Sequence, residues 1–520
     1  LEALTLAPLH LRLTQVTLKD RTDEHNELAS EQEWLLHPSE KRLALSGNLF
    51  FVDDVLSGAG LIFLKLAPLP HAQPLRLSPA DLTVQPRERK ISLTGHGIDA
   101  DGGMGYGWTT MTYSGGLAGR IAALHTLQNH LRPNESGRDG LLVSNTWGDR
   151  GQDGRVSTEF LSHEIINGAR LGVDVIQIDD GWQKGRTANS VQKGGVWEGF
   201  YAAEPDFWSP HPERFLGGLA PLVEAAAEKG LRFGLWFAPD SSDDFARWKS
   251  DADTVLRLHR ELGICYFKID GVKLRTKTGE RNLEAFFDAV LRGSKGSIVF
   301  DTDVTAETRQ GYFGMLGTGP LFVENRYTDW HRYWPHTTLR NVWKLSHYIP
   351  PVRLRMEFLN NARNTEKYEG DPLAPSAYPA DYLFATVMMT SPLGWFEVQN
   401  LPPAYIKDAA PLVAVWKNHR TALSSGAVLP IGEAPDGTAW TGFVSISADS
   451  RTVYALLFRE LNDRSGYSEI LPVLNTKDKW RVETLAGDGS VTVLPRGRLA
   501  VTIPKAQRYV FARMTLDLEA

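Results

Sequence analysis

The hydrophobic pattern along the chain changes character twice. Up to about residue 116 the apolar positions fall in short runs or in alternation: Leu11 to Thr17, Leu43 to Val52, Leu61 to Leu66 and Lys90 to Leu93. Pro, Gly and Asp clusters separate them, which predicts β-strands stacked as a sandwich. Leu117, Ile121, Leu124 and Leu127 then recur at helical spacing, and Pro133-Asn134-Glu135-Ser136-Gly137 reads as a linker.

Beyond that linker a short apolar strand alternates with an amphipathic helix. The strands are expected near 141–147, 173–179, 231–237, 264–270, 297–301, 320–325, 352–358 and 391–396. In one unit Phe215, Leu219, Leu222 and Ala226 share a helical face, Gly230 stands at the C′ position, and Leu231 to Phe237 follow as a strand. Eight such units predict an α/β fold built on a closed (β/α)8 TIM barrel. After about 425 the runs Ala439 to Ile446, Thr452 to Phe458, Val491 to Leu494 and Leu499 to Ile503 return to strand. Three domains are therefore expected: an N-terminal β-sandwich with its connecting helix over 1–135, the barrel over 136–424, and an antiparallel β domain over 425–520. The stretch Gly181 to Pro212 is too long for a routine βα loop and is expected to shape a site at the barrel mouth.

Charge and composition narrow the partners. The 520 residues carry 56 basic and 62 acidic side chains with no Lys/Arg run, so no nucleic-acid partner is expected. The chain's 15 Trp, 15 Tyr and 22 Phe supply flat apolar faces of the kind on which sugars stack. Cys265 is the single cysteine, which excludes an internal disulfide and a Cys-based zinc site. No apolar run reaches the ~18 residues that span a bilayer. The chain begins with Leu1 rather than Met, which suggests a trimmed or processed N-terminus. Compartment (periplasmic, secreted or cytoplasmic) and homo-oligomer formation stay open.

In a (β/α)8 barrel the C-terminal strand ends converge on one mouth. Along Ile264-Cys265-Tyr266-Phe267-Lys268-Ile269-Asp270, period-2 geometry turns Tyr266, Lys268 and Asp270 inward and Cys265, Phe267 and Ile269 toward the helices. Adjacent opposite charges keep Asp270 ionised and ready as a nucleophile, although a structural ion pair is the competing interpretation. The second strand ends in Asp179-Asp180-Gly181-Trp182, where two carboxylates suit sugar hydroxyls and a tryptophan suits the apolar face of a ring. Helix capping is the alternative, and a metal pair would lack a third ligand at suitable spacing. Asn145 and Trp147 on the first strand and Trp236 on the third add polar and aromatic walls. His331, His336 and His347 read as packing or rim residues. No cofactor and no metal are expected; the expected partner is a carbohydrate.

Ile178-Asp179-Asp180-Gly181-Trp182, Gly234-Leu235-Trp236-Phe237 and Tyr266-Phe267-Lys268-Ile269-Asp270 together resemble the barrel motifs of the α-galactosidases of glycoside hydrolase family 36. The resemblance covers about 139–420 and implies a retaining hydrolase that removes terminal α-linked galactose through a covalent glycosyl-Asp intermediate. It implies Asp270 as nucleophile, Lys268 as a substrate neighbour, and Asp179 and Asp180 as acceptors for ring hydroxyls. Trp147, Trp182 and Trp236 would line the pocket, and Arg309 resembles the arginine of the fifth strand's loop. The acid/base is expected after the sixth strand, at Asp329 in preference to Glu324, with Arg326 in an Arg-then-Asp arrangement. Retention places the two carboxyl groups about 5–5.5 Å apart. The chain departs from the family at Val272 and at Phe300-Asp301-Thr302-Asp303-Val304, where another α-configured sugar, such as N-acetylgalactosamine, could replace galactose. A transglycosylase and a non-catalytic sugar-binding protein are the competing functions.

Overall fold

The computed structural model describes residues 2–7, 10–19, 28–68, 80–98, 105–149, 151–304, 309–323, 332–477 and 479–517. Eight parallel strands close into a barrel: β1 (Val143–Asn145), β2 (Val175–Ile178), β3 (Arg232–Phe237), β4 (Tyr266–Ile269), β5 (Val299–Asp303), β6 (Leu321–Phe322), β7 (Leu354–Phe358) and β8 (Ser391–Gly394). Each overlaps a run expected from the sequence, β5 extending two residues past the expected 297–301. β8 returns to β1, pairing Leu393 with Val143 and Gly394 with Ser144. The strands are buried on both faces, apolar toward the helices and with polar residues such as Lys268, Asp301 and Arg355 among the inward ones. Ile176, Ile178, Phe267 and Ile269 join the core under the helices. Val143, Val175, Tyr266, Val299, Phe322, Leu393 and Trp395 form a separate cluster that fills the barrel.

The helix expected from Phe215 onward starts later, as Ala220–Glu228. Gly218 takes φ +70, a left-handed corner that no α-helix passes through, and Pro221 suits a first turn because it has no amide hydrogen to leave unpaired. Phe215 and Leu219 are nevertheless buried beside Leu222 and Ala226. The helix ends as expected. Gly230 (φ +73) donates its N–H to Ala227 O, and Leu231 donates to Ala226 O, both at 2.9 Å, the paired bonds of a Schellman motif.

Ahead of the barrel lie two antiparallel sheets. One joins Glu2–Thr5, Lys90–Leu93, Leu82–Gln85 and Leu43–Leu45; the other joins Ala29–Leu35, Leu11–Leu18, Leu49–Asp54, Gly60–Lys65 and Trp108–Tyr113. Leu13, Phe50, Val52, Phe63, Leu82, Val84 and Ile91 cluster between them. The single run expected over Leu43 to Val52 is thus two strands, one in each sheet, with the crossing at Ser46 to Asn48. Gly47 N–H is held there by Asp81, which also pairs with the fully buried Lys65 at 2.7 Å. The opposite face of the second sheet meets the barrel, where Phe51 stacks on Tyr348 at 6.4 Å under the Arg120 guanidinium.

After the helix Pro403–Ser425 come a five-stranded and a three-stranded antiparallel sheet around Trp440, Val453, Leu457, Leu499, Val501 and Val510. No helix among the described residues is long and apolar enough to cross a membrane.

Candidate active site

β4 delivers its chemistry as the alternation requires. Phe267 and Ile269 pack outward, while Lys268 Nζ stands 3.0 Å from Asp179 Oδ2 and 3.6 Å from Asp270 Oδ2. Asp270, just past the strand end, keeps 14% of its side chain exposed. Four donors converge on its carboxylate. Arg309 Nη1 at 2.8 Å and Gly271 N–H at 2.7 Å reach Oδ1; Trp236 Nε1 at 3.2 Å reaches Oδ2, beside Lys268. Burial alone would raise its pKa, but the Arg309 and Lys268 charges hold it well below the ordinary carboxylate range. Lys268 is pushed the other way: burial would discharge it, and Asp179, Asp270 and Asp303 keep it a cation. The arrangement is an ionised, partly exposed carboxylate at the C-terminal end of β4.

β2 ends in the acidic pair. Asp179 Oδ2 accepts from Asn145 Nδ2 at 2.8 Å as well as from Lys268, which ties the ends of β1, β2 and β4 to one oxygen. Asp180 is turned away from this group. Gln183 Nε2 donates to its Oδ1 at 2.7 Å and the Thr187 hydroxyl donates to its Oδ2. Burial raises the Asp180 pKa to about 7. Gly181 must be glycine: φ is +110, and a Cβ would lie 2.3 Å from the Asp153 Cβ.

Arg309 follows β5. Besides Asp270 it contacts Asp303 at 3.4 Å, so Asp303 belongs to the same charge network. Asp301 lies deeper and takes both Arg355 Nε at 3.0 Å and Nη2 at 2.9 Å on one oxygen, an internal ion pair of the barrel. Val272 is fully buried in the main core.

The tryptophans divide. Trp236, on β3, holds Asp270 as above, and Trp147 is partly buried beside the barrel-filling cluster. Trp182, expected as a pocket wall, is wholly buried: its indole N–H donates to the Trp236 carbonyl at 2.7 Å and its ring stacks on Trp208. The structure brings in a tryptophan that sequence reasoning passed over. Trp197, half-buried, lies so close that a Cβ on Gly271 would be 3.4 Å from its ring, and its ring centroid is 6.5 Å from that of Trp236. Only the unusual length of the 181–212 insertion pointed there, since nothing local marks Trp197 as different from Trp182. His336 and His347 pack against Trp334 and Trp343. Asp329, Glu324, Arg326 and His331 lie outside the described residues.

No family model matches the chain. Among solved structures, the α-galactosidase of Lactobacillus brevis matches 100% of this chain and 75% of its own, at a TM-score of 0.69 and 14% identity. The family 36 α-galactosidase AgaA of Geobacillus stearothermophilus, in complex with 1-deoxygalactonojirimycin, matches 98% of this chain and 75% of its own at a TM-score of 0.68, also with 14% identity. The chain has the fold of the family 36 α-galactosidases. Its similar curated sequences carry the same activity in their names. Probable α-galactosidase C of Aspergillus flavus is 32% identical over 141 residues, 25% of this chain and 17% of the relative. α-Galactosidase 2 of Pediococcus pentosaceus is 28% identical over 125 residues, 24% of this chain and 15% of the relative. The match thus spans less than a fifth of the length of these two relatives.

Proposed function

We propose that the chain is a retaining glycoside hydrolase that releases terminal α-linked galactose by double displacement. The observation that carries this is Asp270: an ionised carboxylate, gripped by Arg309, Lys268, Trp236 and Gly271 yet partly open at the barrel mouth. Gripping lowers its basicity and fixes the attacking oxygen, which leaves a carboxylate suited to capturing an anomeric carbon rather than a proton. Asp179 takes Lys268 and Asn145 on Oδ2 and the Asp180 N–H on Oδ1, and its remaining acceptor capacity suits ring hydroxyls. Asp180, with its pKa near 7, both donates and accepts at neutral pH. Trp147 and Trp236 wall the sugar, and Trp182 supports Trp236 from behind.

The acid/base belongs to the segment after β6, with Asp329 preferred to Glu324 and Arg326 beside it. Solved forms of AgaA hold raffinose and stachyose, and an α-galactoside of that kind is the substrate class proposed for this chain. The domain division at 135 and 424 is part of the same proposal. Asp270→Asn should lower kcat on an aryl α-galactoside by about 10^4-fold or more while the circular dichroism spectrum is retained. Proton NMR of the wild-type reaction should show α-galactose as the first product. Full activity of Asp270→Asn, or β-galactose released first, would overturn the proposal.

A further inference from the structure

The insertion that carries Trp197 is fastened to the barrel at three points, and none of the fastening residues has a place in the proposed chemistry. Gly199 N–H donates to Asp240 Oδ1 at 2.7 Å. Tyr201 O–H donates to Asp251 Oδ1 at 2.8 Å. Glu198 pairs with Arg275, in the loop after β4, at 2.8 Å. Asp240 and Asp251 are themselves linked, because Asp240 N–H donates to Asp251 Oδ2 at 3.0 Å. Both carboxyl groups are buried, with 1% and 0% exposure.

Asp240 lies three residues beyond the end of β3, the strand that presents Trp236 to Asp270. Its Oδ1 also accepts Ser242 N–H at 3.1 Å, which opens the turn in which Asp243, Asp244 and Phe245 all take positive φ, 48, 56 and 58. Side-chain-bearing residues adopt that conformation in succession only when surrounding contacts hold them there. Asn282 Nδ2 donates to Asp244 O at 2.8 Å, and Phe245 is buried. One carboxylate oxygen therefore joins the end of β3, a strained turn and the insertion. The other oxygen of Asp240 is buried and accepts no hydrogen bond among the described residues. Asp240 is thus committed to two backbone amides through one oxygen.

Resting on the reading of Asp270 as nucleophile, we propose that Asp240 and Asp251 form a clamp that positions Trp197 as a preset wall of the sugar pocket beside the Gly271–Asp270 corner. Asp240 is a positioning residue, acting through Gly199 and Trp197 on sugar binding rather than on the chemical step. Loss of the clamp frees the indole and weakens ground-state and transition-state binding alike, which raises KM and spares kcat.

The test has two independent readouts on the full chain. In Asp240→Ala, hydrogen exchange of the amides of 186–203 should accelerate at least about tenfold relative to wild type, while those of β4 stay unchanged. Unchanged exchange in the insertion would overturn the clamp whatever the activity. On 4-nitrophenyl α-galactoside, Asp240→Ala should raise KM about tenfold with kcat within about threefold, and Asp240→Asn, which keeps an acceptor for both amides, should restore the wild-type KM. Trp197→Ala should raise KM similarly, and the double variant should be no worse than either single one. Additive effects, or a fall in kcat alone, would overturn the positioning role. If Asp240→Ala does not fold, Tyr201→Phe takes its place under the same criteria. A wild-type protein that cleaves no α-galactoside would count against the hydrolase reading, and with it the KM arm, whereas the exchange arm would still decide the clamp.

Discussion

Asp270 and Asp180 show how far neighbours decide what a carboxylate becomes. Both are buried, and burial pushes both toward the neutral form. Asp270 has two cations within 3.6 Å and stays ionised; Asp180 has an amide and a hydroxyl and does not escape the penalty. Glu460, far from the site, offers a clean measurement of this rule. Its Oε2 accepts the Asp436, Gly437 and Ala439 amides at 3.1, 2.8 and 2.9 Å, while Oε1 is buried and without a hydrogen bond among the described residues. Burial raises its pKa from 4.5 to about 7. A raised folded pKa means that the folded chain holds the proton more tightly. The stability from that proton is complete below the unfolded value and is lost as pH rises through the folded one. Glu460→Gln does not titrate and keeps all three bonds. Its stability relative to wild type should therefore increase between pH 5 and 8, by on the order of 2–3 kcal/mol, as read from urea midpoints. A difference that is flat with pH would refute the assignment.

At the scale of elements, the barrel strands were the easiest part of the sequence to see. A strand buried on both faces becomes a short continuous apolar run, and β2, β3 and β4 are fully or almost fully buried along their length. Strands such as Ala29–Leu35 and Lys479–Gly487, which carry mostly exposed or half-buried side chains, left no such run and went unseen. The seam between β1 and β8 shows what packing adds. Gly148, one residue past Trp147, has no room for a side chain: a Cβ would lie 1.9 Å from the Trp395 carbonyl oxygen. Asp149 bolts the same seam by accepting Glu397 N–H at 3.1 Å and Asn400 Nδ2 at 2.9 Å and by pairing with Arg363 at 2.9 Å. Gly148→Ala should thus cost about 3 kcal/mol and lower activity along with it, because the displaced segment carries Trp147. Thermal melting with a parallel activity assay checks both, and an unchanged melting temperature would mean the seam is loose.

Across the whole molecule the second N-terminal sheet and the barrel share one core. Phe51, Ile62 and Leu64 belong to the same apolar cluster as Leu124, Tyr348 and the barrel's outer strand faces. Tyr348 also donates to Glu31 at 2.8 Å, and Arg120 pairs with Glu31 at 3.3 Å. Phe51→Ala removes the ring between Tyr348 and Arg120 and should destabilise the chain by about 3–5 kcal/mol. Because that core is continuous, the midpoint for loss of the proposed hydrolase activity on heating should fall together with that of the second N-terminal sheet. A normal activity midpoint in Phe51→Ala would show that the two parts unfold separately.

The sequence by itself determined the eightfold strand–helix alternation and placed Lys268, Asp270, Asp179 and Asp180 at strand ends, because period and burial are local properties that a single chain displays. Only the tertiary structure decided what those groups do to one another. It set Arg309 on Asp270 from 39 residues away, sank Trp182 into the core and brought Trp197 beside the Gly271–Asp270 corner. Contacts between distant segments depend on how barrel closure aims each loop, and no local pattern records that direction.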